Sequence, residues 1–318
     1  RFKEHTIDAI VGELDAPDLK KADDLVRKAL RLGKGTARLV DVFALASPLG
    51  HWPALAAAAL MAVAPASVYY SRYFVQETLL VTFFLAALVC AQRWWRTGRS
   101  SWIIAAGACA GLMQATRASA PLFAASALIA LAVVVRARPA SARLTRDLVL
   151  ALSAALVVAA LFYSSFGTHI TGLHDAIATY THAGGRAATG TSGHEKPFWY
   201  YLSLFGWYRE GGLLWQQLAF ALLAAAGFVV AFATRQKLLR WTALYTLLVV
   251  IALSLTPYKT PWHAVHLVPG FAILAAGALA QGLAVDTITA KALHLGILTD
   301  TGRFCYRSTT ADVFAIIA

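Results

Sequence analysis

Acidic residues are scarce in this sequence: 16 Asp and Glu stand against 28 Lys and Arg, and only 14% of the 318 residues are charged. A soluble domain of this size is usually about a quarter charged, so an ordinary soluble fold is excluded. Cysteine is nearly as rare. Cys90, Cys109 and Cys305 have no metal-ligand spacing, and two of them lie in apolar runs. They read as small core side chains rather than a disulfide framework or a thiolate metal site. Hydrophobicity nowhere alternates over strand-length stretches, which excludes a membrane β-barrel. The Gly-rich run from Ala183 to Gly193 has no Lys-Ser/Thr ending and follows no strand, so it reads as a mobile loop and not a phosphate cradle. The chain opens at Arg1 with neither Met nor a signal peptide, and the expectation is a fragment or a degenerate copy.

What the sequence has instead is apolar length. Hydrophobic residues make up 59% of the chain and mean hydropathy is +0.61. The excess falls in blocks of about 15–24 residues, the length a membrane helix needs. The fold class expected is all-α, a polytopic membrane helical bundle. Spans are placed near 52–70, 74–93, 102–116, 119–135, 147–165, 212–234, 241–256 and 262–284. That makes about eight or nine transmembrane helices, the ninth depending on 39–49, which is short and contains Asp41. Three regions follow: a polar, amphipathic segment 1–38, a transmembrane domain 39–285 with an outer loop 166–211, and a polar tail 286–318.

The net charge of +12 does not point to nucleic acid, because the cations are not gathered on one amphipathic face. They fill short loops: Arg93, Arg96 and Arg99; Arg136, Arg138, Arg143 and Arg146; Arg235, Lys237 and Arg240. The positive-inside rule marks these loops as cytoplasmic. The intervening loops 70–77, 116–119, 166–211 and 257–261 then face outward, and every polar segment of unusual composition falls on that side.

Three such segments carry candidate chemistry. The first is Tyr69-Tyr70-Ser71-Arg72-Tyr73-Phe74-Val75-Gln76-Glu77, a loop so short that Arg72 and Glu77 lie at or just inside the membrane surface. An ionised side chain in a spanning helix costs roughly 2.5–3.5 kcal/mol. Glu77 is suited to act on an acceptor or to ligate a divalent cation, and Arg72 to hold a phosphate. A structural ion pair, or snorkelling to the interface, stands beside that reading. The second segment is His194-Glu195-Lys196-Pro197-Phe198-Trp199-Tyr200-Tyr201, where polar residues lead into aromatics. Lys196 fits a lipid phosphate and the aromatics a prenyl chain, or else the cluster is an aromatic belt anchor. The third is Thr256-Pro257-Tyr258-Lys259-Thr260-Pro261-Trp262-His263, with His266 at helical spacing. Two prolines break the helix where it lines a cavity, or form a rigid turn with Lys259 snorkelling outward. The outer-loop histidines His169, His174, His182 and His194 are too irregularly spaced for a zinc site.

Together these segments resemble the GT-C integral membrane glycosyltransferases, and within them the protein-mannosyltransferase-like branch that includes archaeal flippase-activity-associated proteins. The likeness covers roughly 50–285, with Arg303 to Val313 also similar to that branch's C-terminal region. It implies a site on the extracytoplasmic face of an inner or plasma membrane. The donor implied is a sugar on a polyprenyl phosphate, and the acceptor a glycan, lipid or protein. Glu77 corresponds to the second of two acidic residues such enzymes carry. Arg72, His194, Glu195, Lys196, Tyr200, Tyr201, Lys259 and His263 fall where donor phosphate and substrate contacts are expected. The first acid has no counterpart in the sequence. Divalent cation use, Mg or Mn, stays open, since members of the class differ. The alternative is a non-catalytic flippase-associated or transport protein handling the same lipid. A secondary transporter ranks third, because no internal repeat is found and the ionisable residues cluster at the outer mouth rather than the midplane.

Overall fold

The computed structural model describes residues 37–72, 75–135, 142–189, 194–210 and 213–281. The segments 1–36 and 282–318, hence most of the expected N-terminal region and all of the tail, lie outside the described residues.

The architecture is helical, as expected, and each of the eight stretches read as spans contains a helix. In chain order these are α1 (Ala37–Ala46), α2 (His51–Val63), α3 (Pro65–Arg72), α4 (Gln76–Thr97), α5 (Ser100–Thr116), α6 (Ala120–Val134) and α7 (Ala142–Tyr163). They continue with α8 (Gly172–Thr189), α9 (Tyr200–Phe205), α10 (Leu218–Ala233), α11 (Lys237–Leu255) and α12 (Val268–Ala280). Among the described residues, four helical stretches are long and apolar enough to cross a bilayer: Gln76–Thr97, Arg143–Tyr163, Lys237–Leu255 and Pro261–Ala280. The pair α2–α3, bent by 58° where Pro65 follows Ala64, makes a fifth, while α6 and α10 are apolar but shorter. The chain is an integral membrane protein.

Three boundaries differ from the sequence expectation, each for a local reason. Helix α4 runs beyond its apolar core through Trp94 and Trp95 and ends at Thr97, because Gly98 takes the left-handed conformation (φ 67°) that closes a helix. The apolar stretch expected at 212–234 begins instead as one arm of a β-hairpin. Strand β1 (Trp207–Glu210) pairs antiparallel with β2 (Leu213–Gln216), so Leu213 to Trp215 are used in strand pairing and the helix starts only at Leu218. The expected loop at Ala183–Gly193 is helical as far as Thr189, where its alanines extend α8.

Burial separates the helices by role. In the stretch Pro261–Ala280, 78% of the apolar window is buried, against 6% in Arg143–Tyr163. Helix α12 is therefore the bundle's centre, and α7 presents Leu148, Leu152, Leu156 and Val157 outward, as a lipid-facing helix must. Where helices meet, small residues let backbones touch. Gly107 and Gly111 of α5 lie directly against the α7 backbone at Ala151 and Ala155, and Gly227 of α10 lies against the α12 backbone at Leu274. In lipid, where apolar contact alone gives no preference for another helix, such close approach is what holds pairs together.

Candidate active site

The bend before Pro65 sets α3 at 58° to α2, ahead of the start of α4. The hydroxyl of Thr78 donates to the Tyr70 carbonyl (2.9 Å) and closes this hairpin. Tyr70 is buried beneath it. Glu77 consequently sits in the first turn of α4, where the helix dipole favours a negative charge. Its side chain has no exposed surface.

Two groups from distant parts of the chain meet this carboxylate. Arg117, at the C-terminal end of α5, places Nη1 2.7 Å from Glu77 Oε1 and 3.5 Å from Gln76 Oε1. Its side chain retains 28% exposure, so it covers the acid from the solvent side. From the other flank, His263 sets Nε2 3.5 Å from the same oxygen. His263 belongs to the short 3-10 turn Pro261–His266 that opens α12, with Pro261 at its first position, where a missing N–H costs nothing. Its Nδ1 lies 3.2 Å from the Tyr201 hydroxyl and 3.1 Å from Thr260 Oγ1. With Nδ1 accepting from a hydroxyl, the Nε2 proton faces Glu77. Tyr201, fully buried, also accepts the Thr260 N–H (3.3 Å), and burial pushes its phenol well above the usual range. The indole nitrogen of Trp262 also lies beside the Glu77 carboxylate. The result is a chain of polar groups, Arg117–Glu77–His263–Tyr201/Thr260, at one end of an otherwise apolar bundle.

The second and third motifs meet directly. Residues 194–196 lie antiparallel to 257–259: the Lys259 N–H donates to the His194 carbonyl (3.0 Å), the Lys196 N–H to Pro257 (3.4 Å), and Glu195 faces Tyr258 in a bridge. The Lys259 ammonium is buried and donates to the Lys196 carbonyl (3.1 Å) and the Thr256 carbonyl (2.5 Å). Burial lowers its pKa from the usual lysine value. Lys259 therefore points inward as a clamp between the two loops, where the rigid-turn reading had it pointing out to solvent. The ring of His194 packs edge-on to Tyr258 (5.3 Å), and Lys196 Nζ stands 5.8 Å above the ring of the buried Tyr200. Replacing Lys259 by Met keeps the chain length and removes the donors. The expected outcome is faster amide hydrogen exchange at 194–196; unchanged exchange there would show that the strand pairing holds by itself.

Of the residues singled out in the sequence, Glu77, Tyr201 and His263 therefore share one cluster. His194, Glu195, Lys196, Tyr200 and Lys259 form the adjoining wall, joined to it through Thr260. Arg72 ends α3, and its side chain lies outside the described residues. Among the described residues, Asp41 on α1 is close to Arg93, and Asp147 on α7 binds Trp94 and Ser100, both at the opposite end of the bundle from Glu77. Among the described residues no three His, Cys, Asp or Glu side chains come together, and His169 and His174 are exposed on the outer loop. Glu77 is one carboxylate of the kind that, with phosphate oxygens and water, would hold Mg or Mn. Sequence reasoning missed Arg117. The only trace it leaves is that it is the one charge in the turn 116–119, a composition ordinary for a short loop.

The fold, a helical membrane bundle with a buried carboxylate at one end, can be set beside known proteins. Residues 35–166 match the family model for dolichyl-phosphate-mannose-protein mannosyltransferase. The fold is that of the GT-C membrane glycosyltransferases. ArnT from Cupriavidus metallidurans bound to undecaprenyl phosphate superposes with a TM-score of 0.61 at 18% identity, over 87% of this chain and 52% of ArnT. Its apo structure gives 0.59 at 17% identity, over 82% of this chain and 46% of that one. The oligosaccharyltransferase of Archaeoglobus fulgidus is more distant (TM-score 0.46, 15% identity, 85% of this chain and 44% of that one). The chain thus spans about half the length of the structures it matches. No curated protein matches it in sequence.

Proposed function

We propose that this chain carries the membrane part of a glycosyltransferase that moves a sugar from a polyprenyl-phosphate donor to a hydroxyl of a glycan, lipid or protein acceptor. In this reading the site faces the extracytoplasmic side of an inner or plasma membrane. The observation that carries it is the Glu77 carboxylate, wholly buried, with a partly exposed arginine directly over it. The shared fold with an ArnT structure that binds undecaprenyl phosphate supports the choice of donor lipid.

The reaction is a displacement at the anomeric carbon. The acceptor oxygen forms the new bond to that carbon, its proton passes to Glu77, and the bond to the phosphate oxygen breaks with both electrons leaving on the phosphate. Arg117 and Lys196, whose side chains reach the surface, meet the charge that develops there. His263 and Tyr201 hold the carboxylate in place. Phosphate is a good leaving group, so positioning and charge neutralisation supply much of the rate.

The test is transfer from a polyprenyl-phosphate sugar in proteoliposomes. Replacing Arg117 by Gln is expected to raise the donor KM about 10- to 100-fold, the equivalent of one lost hydrogen bond to a charged group. R117K recovers part of this. An unchanged KM with a reduced kcat would instead mean that Arg117 serves only to hold Glu77. The second reading, a non-catalytic protein handling the same lipid, is favoured by one observation: Glu77 is already ion-paired with Arg117, as a structural acid would be.

A further inference from the structure

About 28 Å from Glu77 along α4, at 1.5 Å per residue over the 19 residues to Arg96, the helix reaches the opposite membrane interface. There the left-handed Gly98 reverses the chain, so that the end of α4 and the start of α5 face each other across a tight turn. The turn is well braced. Thr97 Oγ1 donates to the Arg93 carbonyl (2.8 Å) and accepts the Arg99 N–H (3.3 Å), while Arg143 of α7 donates to the Gly98 carbonyl. Between these elements lies a cavity of about 480 Å³ lined by Arg93, Arg96, Thr97, Arg99 and Trp102.

Arg93, Arg96 and Arg99 share one recess whose wall is mainly apolar, built with Thr97 and Trp102. The Arg93 guanidinium is held 4.7 Å over the Trp102 ring, which fixes it without neutralising it. The nearby carboxylates do not balance the charge. Asp147 is occupied by Trp94 (2.9 Å), Ser100 (2.8 Å) and Arg146 (2.9 Å), and Asp41, on α1 near Cys90 and Cys109, faces Arg93. Arginine forks match phosphate oxygens in geometry, and the tryptophan marks headgroup depth.

The geometry points to a binding site for the phosphodiester headgroup of an anionic phospholipid in the leaflet opposite the Glu77 site. A headgroup seated there bridges α4 and α5, which carry Glu77 and Arg117 at their far ends, and lies beside Arg143 of α7. The inference is independent of the transferase reading, since it concerns neither the donor nor the acceptor.

The test titrates the delipidated full chain in detergent with phosphatidylglycerol or phosphatidylcholine of equal acyl length and reads bound lipid by native mass spectrometry. Phosphatidylglycerol is expected to bind at least about tenfold tighter, and R93Q/R96Q/R99Q to lose affinity about 100-fold, roughly fivefold per arginine. The variant R235Q/K237Q/R240Q removes three cations from another basic loop and is expected to keep wild-type affinity. If the triple Arg93 variant does not fold, R96Q alone carries the test with about a fivefold loss. The proposal is overturned if the two lipids bind equally, or if the Arg235 variant loses as much affinity, which would mean diffuse surface charge. It is also overturned if millimolar inorganic phosphate strips the lipid from the wild-type chain, which would mean a site for free phosphate.

Discussion

Replacing Glu77 by Gln is expected to reduce sugar transfer by about 10²- to 10⁴-fold, the range a positioned general base supplies. Gln matches Glu in size and keeps an acceptor for Arg117, so the ion pair becomes a hydrogen bond and the packing survives. What is lost is the capacity to take the acceptor's proton. Donor KM should change less than kcat, because the carboxylate is proposed to act on the acceptor and not on the leaving phosphate. The measurement is initial rate against donor concentration in proteoliposomes, with wild type and variant matched by thermal midpoint. A rate within about twofold of wild type at equal stability would dispose of the base role. It would leave the non-catalytic reading, in which Glu77 and Arg117 are only a fastening. E77Q paired with R117Q adds a second check. If the two residues act as one unit, the double variant is little worse than the poorer single one.

Replacing Gly227 by Leu is expected to be the most damaging single change to the fold. Any side-chain atom at this position runs into the α12 backbone at Leu274, which cannot move aside as a flexible side chain can. Helix α12 is the buried centre of the bundle and also continues the turn that positions His263, so displacing it disturbs packing and site together. Overpacking a well-filled interior costs about 1–3 kcal/mol, and a backbone clash belongs at the upper end or beyond. The expected result is a lowered thermal midpoint in detergent and poor recovery of folded protein, whereas Val229→Leu, on the exposed face of the same helix, stays near wild type. Equal stability of the two variants would show that α10 and α12 do not rely on close contact.

Much of the fold was legible because lipid is an exacting solvent. Backbone groups in hydrocarbon must be satisfied within the segment, so an apolar run of sufficient length has little choice but helix. That is why each of the eight runs contains a helix. Legibility failed where neighbours changed the outcome: Leu213 to Trp215 read as the start of a span, yet strand pairing with Trp207 to Glu210 took them. Glu77 was legible for the converse reason, as a charge where charges are expensive. Arg117 was not, because one cation in a four-residue turn differs little from ordinary loop composition, and only its distance to Glu77 gives it meaning. The antiparallel seating of 194–196 on 257–259 had no sequence signal either, since pairing over some sixty residues leaves no periodicity behind.

The sequence by itself thus determined that this is a helical membrane protein, where its helices run, and that its unusual polar segments lie together on the side away from the basic loops. Those properties follow from composition and local spacing, which the bilayer enforces on each segment separately. The tertiary structure decided which charges meet. It brought Arg117 and His263 to Glu77 while leaving Asp41 and Asp147 at the far end, and it turned Lys259 inward against carbonyls. Contacts between distant segments are set by how helices pack, through glycines such as Gly107 and Gly227, and no single segment contains that information.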